Sequence, residues 1–527
     1  MPLYLSNTSL DWALAHAQTY GDTDIFPNAF EFSAIESDWA EVKAAIQEQD
    51  VMKWKVRATR RCLVPKHRFG FRISTQLDPL DFLVFTALVW QVGKKLEGQR
   101  IATRENIVHS YRFSPTSDGR MYSDDFSYRS FQQASNAACE KLKPTHVVIA
   151  DIADFFPRIY THRIDNALDR ALGTGHMAGI AIKNLIAHWA GAYSYGLPVG
   201  SSASRLIAEI TLADIDQLLL SEGAKYVRYS DDFRIFCCSE AEAYKYLTIT
   251  ARALFENHGL TLQQNKTKIV TLESFKKHYL RQNDKKELDT LSEQFYELLE
   301  EIGIVDTYGD IDYESLAPEH QRAIDELNLN SILVEQIAEE EPDLSLLKFL
   351  LRRLGQLGST DCIDLIFDNF DKFGPVIRET VEYFLRLTSL SSEEKNVLGK
   401  ELLDIYQDKS SSVAYLEYSR MYMLHPFAVD GEWNSEEQYV KLFNDATDEF
   451  SKRELLLAMG RSNKDFWFRS RKQSIHEMSP WIRRAFIYSA SCLPSDEYKH
   501  WVRGIDAQLD EVERAIAKWA RTVPISK

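Results

Sequence analysis

Three aspartates in the first half of the chain have the residue types and the setting of a metal site. The pentapeptide YSDDF at 229–233 lies between KYVRY and FRIFCC, which predict a β-hairpin with Asp231 and Asp232 at its tip. The apolar run VVIAD predicts a strand that ends at Asp151. If these strands are neighbours, three carboxylates can hold two Mg²⁺ ions about 3.5–4 Å apart, one activating a hydroxyl and one stabilising a leaving group.

The same pentapeptide also occurs at 122–126, in a different local context. There it follows the turn-rich stretch SPTSDGRM and precedes SYRSFQQASNAACEKLK, which predicts a helix with Ser127 at its N-cap. Asp124 and Asp125 would then lie at the start of a helix, where the helix dipole favours negative side chains. We therefore predict a structural role for this copy and a chemical role for the second one.

The elements that must position these residues change in kind along the chain. Residues 1–280 mix short apolar strands with helical patterns, which predicts an α+β domain. Over residues 281–527 strand patterns nearly vanish and amphipathic helices follow one another. Leucines between 347 and 357 recur at helical spacing, and Gly358 is placed to end that helix. This pattern predicts an all-α domain of HEAT-like repeats, with an irregular helix bundle as the alternative.

Two capping boxes predict further helix starts in the second domain. Ser391 is followed three residues later by Glu394, and Ser451 by Glu454. In this motif each side chain accepts a hydrogen bond from the backbone N–H of the other residue. No long linker separates the two domains, so we expect them to dock.

The net charge of −16 does not exclude a nucleic-acid partner, because the charge is unevenly distributed. Residues 281–527 hold 30 Lys and Arg against 47 Asp and Glu, whereas residues 1–280 hold 32 against 31. No apolar run reaches the roughly 18–20 residues that span a bilayer. The first residues also lack the basic-then-apolar order of a signal peptide. We therefore expect a cytoplasmic protein with no membrane partner.

Four segments of the first domain resemble, in order, the sequence motifs of reverse transcriptases. ADIADFFPRIYTHRI is similar to motif A, YGLPVGSSASRLIAEITLADID to motif B, YVRYSDDFRIFC to motif C and HGLTLQQNKTKIV to motif D. The resemblance implies a fingers and palm domain over 1–280, with motifs A to D within 145–270. It also implies a nucleotidyltransferase of the RNA-directed DNA polymerase family that uses dNTPs and Mg²⁺, with Mn²⁺ as the alternative ion.

The resemblance assigns roles to individual residues of motifs A and C. It makes Asp151, Asp231 and Asp232 the catalytic, metal-binding carboxylates. Phe156 matches the aromatic residue that would clash with the 2′-hydroxyl of a ribonucleotide. Asp154 would lie beneath the incoming nucleotide.

Further assignments follow from motifs B and D and from the fingers. Lys266 matches the motif D lysine, which can give a proton to pyrophosphate, and a solvated lysine is the alternative. Lys66 and Arg72 in KHRFGFR are the expected triphosphate contacts, unless this basic cluster is only a solvated face. Many reverse transcriptases have Leu-Pro-Gln-Gly in motif B, but here Val199 precedes Gly200. Valine cannot offer an amide to the nucleotide, whereas the glycine still allows close backbone approach.

The branch of the family is indicated by the motif B variant, by FRISTQLDPLDFLVFTALV, by SYRF at 110–113 and by the helical tail. Together they resemble the abortive-infection and defence-associated bacterial reverse transcriptases, such as the K-type and P2-prophage-type enzymes. This implies an antiphage polymerase that makes DNA without a template, starts from a protein hydroxyl and stays covalently attached to its product. It also implies a homo-oligomer. The sequence does not identify the priming residue among 24 tyrosines.

Two other functions remain open from the sequence. The first is RNA-templated synthesis in phage defence on a dedicated non-coding RNA. The second is a catalytically idle polymerase scaffold whose helical tail is an interaction or toxic module. The complete set of three carboxylates argues against the idle scaffold.

One segment of the tail is a candidate nucleic-acid surface. RSNKDFWFRSRKQSIHEMSPWIRR interleaves basic and aromatic residues, and we single out Trp467, Arg469, Arg471 and Lys472. Aromatic faces beside cations suit single strands, which present unstacked bases together with phosphates. The alternative is an amphipathic helix pair with its aromatic residues inside and its arginines outside.

Overall fold

The computed structural model describes residues 2–280, 317–326, 328–433 and 436–525. The predicted domain boundary at 280/281 coincides with the end of the first range and stays a prediction. The strands are β1 (Arg60–His67), β2 (Gly70–Gln76), β3 (His146–Asp151), β4 (Lys225–Tyr229), β5 (Asp232–Cys237) and β6 (Lys268–Thr271).

The α-helices of the first range are α1 (Asn7–Tyr20), α2 (Glu31–Ser37), α3 (Trp39–Gln47), α4 (Pro79–Glu97), α5 (Tyr128–Leu142), α6 (Phe155–Arg158), α7 (Thr161–Leu172), α8 (Met177–Ala190), α9 (Ser202–Thr211), α10 (Ala213–Ser221), α11 (Glu240–Ala253) and α12 (Leu272–Tyr279). Those of the later described ranges are α13 (Pro318–Glu326), α14 (Leu329–Ala338), α15 (Leu344–Leu357), α16 (Ile363–Asp368), α17 (Phe370–Phe373), α18 (Ile377–Arg386), α19 (Ser392–Gln407), α20 (Glu417–Val429), α21 (Glu436–Asp445), α22 (Glu449–Arg461), α23 (Asp465–Arg471), α24 (Pro480–Ser489), α25 (Ser495–Ile505) and α26 (Glu511–Thr522).

The central sheet is antiparallel and has the strand order β4-β5-β3-β6. Its middle strand β3 is covered on both faces. On one face Val147 packs with Phe131 of α5 and Phe275 of α12, and on the other Val148 joins the main core. A strand covered on both faces has a continuous apolar run instead of alternation, which explains VVIA before Asp151. The predicted α+β character of the first domain is confirmed.

The predicted hairpin of the second pentapeptide is confirmed. Tyr229 and Asp232 pair across β4 and β5, so Ser230 and Asp231 form a two-residue turn. Ser230 has φ +52°, a left-handed conformation that is common in such tight turns. A second hairpin, formed by β1 and β2, lies apart from the central sheet.

The helices of the later ranges stack side by side. Contacts run from α15 to α18, α20, α22, α24 and α26 in that order. The predicted leucine helix is confirmed as α15, and Gly358 ends it with φ +65°. The HEAT-like assignment itself stays a prediction. Within the described ranges, no helix combines the length and the apolar character needed to cross a bilayer.

One of the two predicted capping boxes is confirmed and the other is wrong. Ser391 and Glu394 form the box at the start of α19. Helix α22 begins at Glu449 instead, because Asp448 accepts a 2.7 Å hydrogen bond from the N–H of Ser451. A carboxylate three residues upstream therefore takes the capping position.

The helical region docks onto the N-terminal part of the chain through buried ion pairs. Arg453 of α22 donates two hydrogen bonds of 2.7 Å to Glu31 of α2. Arg484 of α24 donates one of 2.6 Å to Asp78, the N-cap residue of α4. Both pairs are almost fully buried, so the predicted docking is confirmed.

Candidate active site

Asp151 and Asp232 meet where β3 and β5 end. They are directly opposed in the antiparallel register, and the N–H of Ile152 donates a 3.1 Å hydrogen bond to the carbonyl of Asp231. Directly opposed residues of an antiparallel pair carry their side chains on the same face of the sheet. Two of the three predicted carboxylates therefore share a face, and Asp231 follows on the adjoining turn.

Burial and neighbouring charge change the acidity of the two turn carboxylates. Burial is the main cause that raises the pKa of Asp231 to about 6, and the charge of Asp151 adds to it. Burial also raises the pKa of Asp232 to about 7, against the opposing effect of Arg234. The Oδ1 atom of Asp232 is buried without a hydrogen-bond partner. Buried carboxylates that repel one another and keep an oxygen unpaired are suited to taking up a cation.

The donor set fits Mg²⁺, which prefers carboxylate oxygens. In the part of the chain that the structure describes, no three His, Cys, Asp or Glu side chains already converge on one point. The carboxylates of Asp151, Asp231 and Asp232 would therefore turn inward to share an ion. Their mutual repulsion opposes that convergence when no cation balances it. Their role as metal ligands stays a prediction.

Lys266 is held beside Asp151 by the loop that precedes β6. Its Nζ atom lies 3.4 Å from the carboxylate of Asp151. The N–H of Gln263 donates a 2.7 Å hydrogen bond to the carbonyl of Asp151, which fixes this loop to the end of β3. The Lys266 side chain is 67% exposed, so its ammonium group can reach a substrate. Its predicted role as proton donor is not tested by these contacts.

The motif B segment is hydrogen-bonded to the turn that carries Phe156. The N–H of Leu197 donates a 3.0 Å hydrogen bond to the carbonyl of Phe156, whose ring is half-buried in α6. Asp154 precedes this short helix with φ +47°, and its exposed carboxylate lies 3.7 Å from Arg158. The motif B segment is thus held next to Phe156 of motif A at Leu197.

The structure restricts the residue type more strongly at position 200 than at position 199. Val199 is half-buried against the core. Gly200 has φ +114°, and a Cβ atom there would collide with the side chain of Thr23. Only glycine suits this backbone conformation and this close approach.

The two predicted triphosphate contacts lie on the hairpin of β1 and β2, which is the predicted fingers hairpin, and have different surroundings. Burial and Asp151 raise the pKa of Asp231, whereas the ammonium groups of Lys266 and Lys66 lower it. Lys66 therefore acts on the aspartate turn. Arg72 lies near the helical region, where its guanidinium opposes the rise that burial causes in the pKa of Tyr418 in α20.

The candidate nucleic-acid residues of the tail are engaged in contacts within the chain. Arg469 and Lys472 both contact Glu497, at 2.9 and 2.8 Å. The guanidinium of Arg471 lies 4.8 Å from the centre of the half-buried Trp467 ring. The proposed binding surface stays a prediction, and an incoming strand would have to compete with Glu497 for two of its cations.

The first copy of the pentapeptide has the local structure that was predicted. Ser127 caps α5 by accepting a hydrogen bond from the N–H of Ser130. Asp124 and Asp125 are exposed just before this helix, and Asp124 forms an ion pair with Arg120.

A buried ion network supports the aspartate turn and was missed by the sequence interpretation. Arg228 of β4 donates to both carboxylate oxygens of Asp216, at 2.9 and 2.6 Å, and lies 3.1 Å from Glu209. Glu209 accepts a 2.5 Å hydrogen bond from the Ser110 hydroxyl. That hydroxyl in turn accepts one of 2.8 Å from the N–H of Ser230. The signal available in the sequence was Arg228, a charged residue inside the strand KYVRY.

Comparison with known proteins gave one family and several distant structures. Residues 104–295 match the family described as reverse transcriptase (RNA-dependent DNA polymerase). No curated protein matches the chain. Telomerase from Candida albicans, in complex with a TWJ fragment of telomeric RNA, is 14% identical with a TM-score of 0.31, and the match covers 72% of this chain and 69% of that one.

Two further structures are similarly distant. Apo telomerase from Candida tropicalis is 12% identical with a TM-score of 0.31, covering 74% of each chain. A partial Cas6-RT-Cas1–Cas2 complex is 20% identical with a TM-score of 0.25, covering 48% of this chain and 42% of that one. The family match spans Asp151, the Asp231–Asp232 turn and Lys266. Residues 104–295 of this chain are therefore similar to the reverse transcriptase family.

Proposed function

We propose that this protein is an antiphage DNA polymerase of the abortive-infection type, which makes DNA from dNTPs without a template and starts it from a hydroxyl group of the protein. The observation that supports the polymerase chemistry is the opposition of Asp151 and Asp232 beside Asp231, with Asp232 Oδ1 left unpartnered. Two Mg²⁺ ions, or Mn²⁺, held by these carboxylates would supply the charge that activates an oxygen nucleophile and stabilises pyrophosphate.

The surrounding residues have distinct parts in this proposal. Phe156 limits the space beside the sugar, while Gly200 lets the backbone approach the nucleotide closely. Lys266 holds a proton next to Asp151, where the leaving pyrophosphate would accept it. Lys66 offers positive charge to the triphosphate.

Protein priming requires only that another oxygen nucleophile replace the 3′-hydroxyl of a nucleic acid. A tyrosine, serine or threonine hydroxyl has this chemistry once a cation or base assists it. The stacked helices α15 to α26 support the HEAT-like part of the proposal, since neighbouring pairs in such arrays bury one another's faces. The homo-oligomer, the cytoplasmic location and the covalently attached DNA belong to the same proposal.

The test uses purified protein, Mg²⁺ and one labelled dNTP at a time, with no added nucleic acid. We expect label that stays with the protein through denaturing electrophoresis and is lost after proteinase treatment. Chelation of Mg²⁺ with EDTA before the reaction should prevent labelling. Label that appears only when an RNA template is added would overturn the protein-primed version. A discrete RNA that co-purifies with the protein and templates the product would support the non-coding RNA alternative.

A further inference from the structure

A cavity of about 310 Å³ lies where the first strand of the fingers hairpin meets the helical region, away from the three aspartates. Its walls come from the segment before α2, from β1 and β2, and from α20, α22, α24 and α26. Cavities of roughly 300 Å³ and above are large enough for a small organic ligand. The lining includes three arginines and three aromatic residues, which are Arg60, Arg453, Arg461, Phe30, Tyr488 and Trp519.

Arg60 is the feature of this cavity that indicates a ligand. It is the first residue of β1, its side chain is only 6% exposed, and its Nη2 atom donates to Gln76. The guanidinium lies between two rings, 4.0 Å from the centre of Trp481 and 4.4 Å from that of Phe450. Its Nε and Nη1 atoms are buried without a hydrogen-bond partner in the described structure. A guanidinium held in this way cannot turn to solvent, so these N–H groups require an acceptor.

The unpaired N–H groups of Arg60 favour an anion as that acceptor, and the carboxylates of Glu449, Glu31 and Glu454 act on its guanidinium from nearby. Glu454 is the one carboxylate among the described lining residues, and it already accepts a 2.9 Å hydrogen bond from His425. Glu31, behind the wall, accepts two hydrogen bonds of 2.7 Å from Arg453. No carboxylate forms a direct hydrogen bond or ion pair with Arg60 in the described ranges. Arginine binds phosphate oxygens well, because its planar fork of N–H groups matches their geometry.

We propose that this cavity binds a nucleoside monophosphate, with the phosphate accepting hydrogen bonds from Arg60 and the base lying against Phe30, Tyr488 and Trp519. A free phosphate ion would fill only a small part of the cavity and would not contact its aromatic residues. A base, in contrast, would gain stabilisation by packing against this aromatic cluster, whose rings also pack on one another. Because β1 also carries Lys66, the nucleotide would tie the fingers hairpin to the helical region. The proposal does not depend on how, or whether, the protein polymerises dNTPs.

The binding test uses the full-length protein and isothermal titration with AMP and with GMP. We expect one saturable site per chain for at least one of the two. Adenosine, which lacks the phosphate, and inorganic phosphate, which lacks the base, should each bind at least about tenfold more weakly. Inorganic phosphate that binds as tightly as the monophosphates would overturn the nucleotide assignment, as would the absence of binding by both monophosphates.

Variants locate the site. Arg60→Gln should weaken monophosphate binding at least about tenfold, because it removes the charged donor. Arg60 is buried, so a second variant keeps the test decisive if Arg60→Gln fails to fold. Val429→Trp should give the same loss by filling the mouth of the cavity, since Val429 lines it and is 39% exposed. Val397→Trp is the matched control, because Val397 is 51% exposed and does not line the cavity.

An active-site variant separates this proposal from the polymerase proposal. Asp231→Asn should bind the monophosphate with unchanged affinity, because Asp231 does not line the cavity. Loss of binding in Asp231→Asn would mean that the nucleotide occupies the aspartate site, which would overturn the inference. Unchanged affinity in Val429→Trp, or in folded Arg60→Gln, would overturn it as well.

Discussion

Asp151 and Asp232 face each other in register across β3 and β5, so two carboxylates occupy directly opposed positions on one face of the sheet. Like charges in such positions destabilise an antiparallel pair. Here the burial of Asp232 adds a desolvation cost, and the charge of the adjoining Asp231 adds further repulsion. An arrangement that costs stability in the absence of a cation is expected where binding a cation is the function.

The raised pKa of Asp232 gives a stability prediction with a defined sign. The folded protein keeps a proton on this carboxyl up to about pH 7, whereas the ordinary value is 3.8, so stability falls as the pH rises through this window. Asp232→Asn should therefore raise the free energy of unfolding at pH 8 by on the order of 2 kcal/mol, with a smaller gain at pH 5. Urea denaturation in EDTA measures the free energy of unfolding at both pH values. Equal effects at the two pH values would contradict the assignment, and Asp124→Asn is the exposed control.

The half-buried ring of Phe156 should control sugar selection. Phe156→Ala opens space where a 2′-hydroxyl would lie, so we expect the preference for dCTP over CTP, measured as the ratio of kcat/KM values, to fall about tenfold or more. Phe255→Ala is the control, because that ring is exposed on the surface. An unchanged ratio in Phe156→Ala would mean that the ring does not face the sugar.

The position of Lys266 beside Asp151 predicts a rate effect. Lys266→Ala should slow single-turnover incorporation by about 10²-fold or more and reduce the solvent deuterium isotope effect, if the ammonium group donates the proton. Lys268→Ala, on the adjoining strand β6, is the matched control. A change in KM for the dNTP with an unchanged single-turnover rate would instead assign Lys266 to binding alone.

The buried network beneath the turn predicts a stability effect that does not depend on catalysis. Glu209→Gln removes the negative charge between Arg228 and Arg100, which lie 3.1 and 2.8 Å away, so we expect a loss of about 3 kcal/mol in the free energy of unfolding. Glu222→Gln removes an exposed partner of Lys245 and should change the free energy of unfolding by less than about 1 kcal/mol. Similar values for the two variants would contradict a supporting role for the network.

The local elements of the site could be predicted from the sequence, because apolar runs and turn residues act over short distances. That reasoning predicted the strand before Asp151, the hairpin at Asp231 and the helix after Ser127, and the structure confirms these elements. The register that sets Asp151 opposite Asp232 could not be predicted in this way, since it depends on residues far apart in the chain that pack across the sheet. The roles assigned to single residues came from the motif resemblance.

The misses have related causes. The cap predicted at Ser451 was wrong because Asp448 offers a better acceptor three residues earlier. The pairing of Glu209 with Arg228 was missed because it joins a helix and a strand that the sequence does not relate. Interactions between distant segments, unlike periodicity, leave little trace in a single sequence.

The most direct test of the polymerase assignment compares the two copies of YSDDF. Asp231→Asn changes the copy at the sheet edge, and Asp124→Asn changes the identical pentapeptide at the start of α5. Magnesium-dependent incorporation of labelled dNTP should fall about 10³-fold in Asp231→Asn and stay at the wild-type rate in Asp124→Asn, with phage protection lost only in the former. Incorporation by folded Asp231→Asn at the wild-type rate would contradict the account, and phage protection that survives without incorporation would favour the idle scaffold.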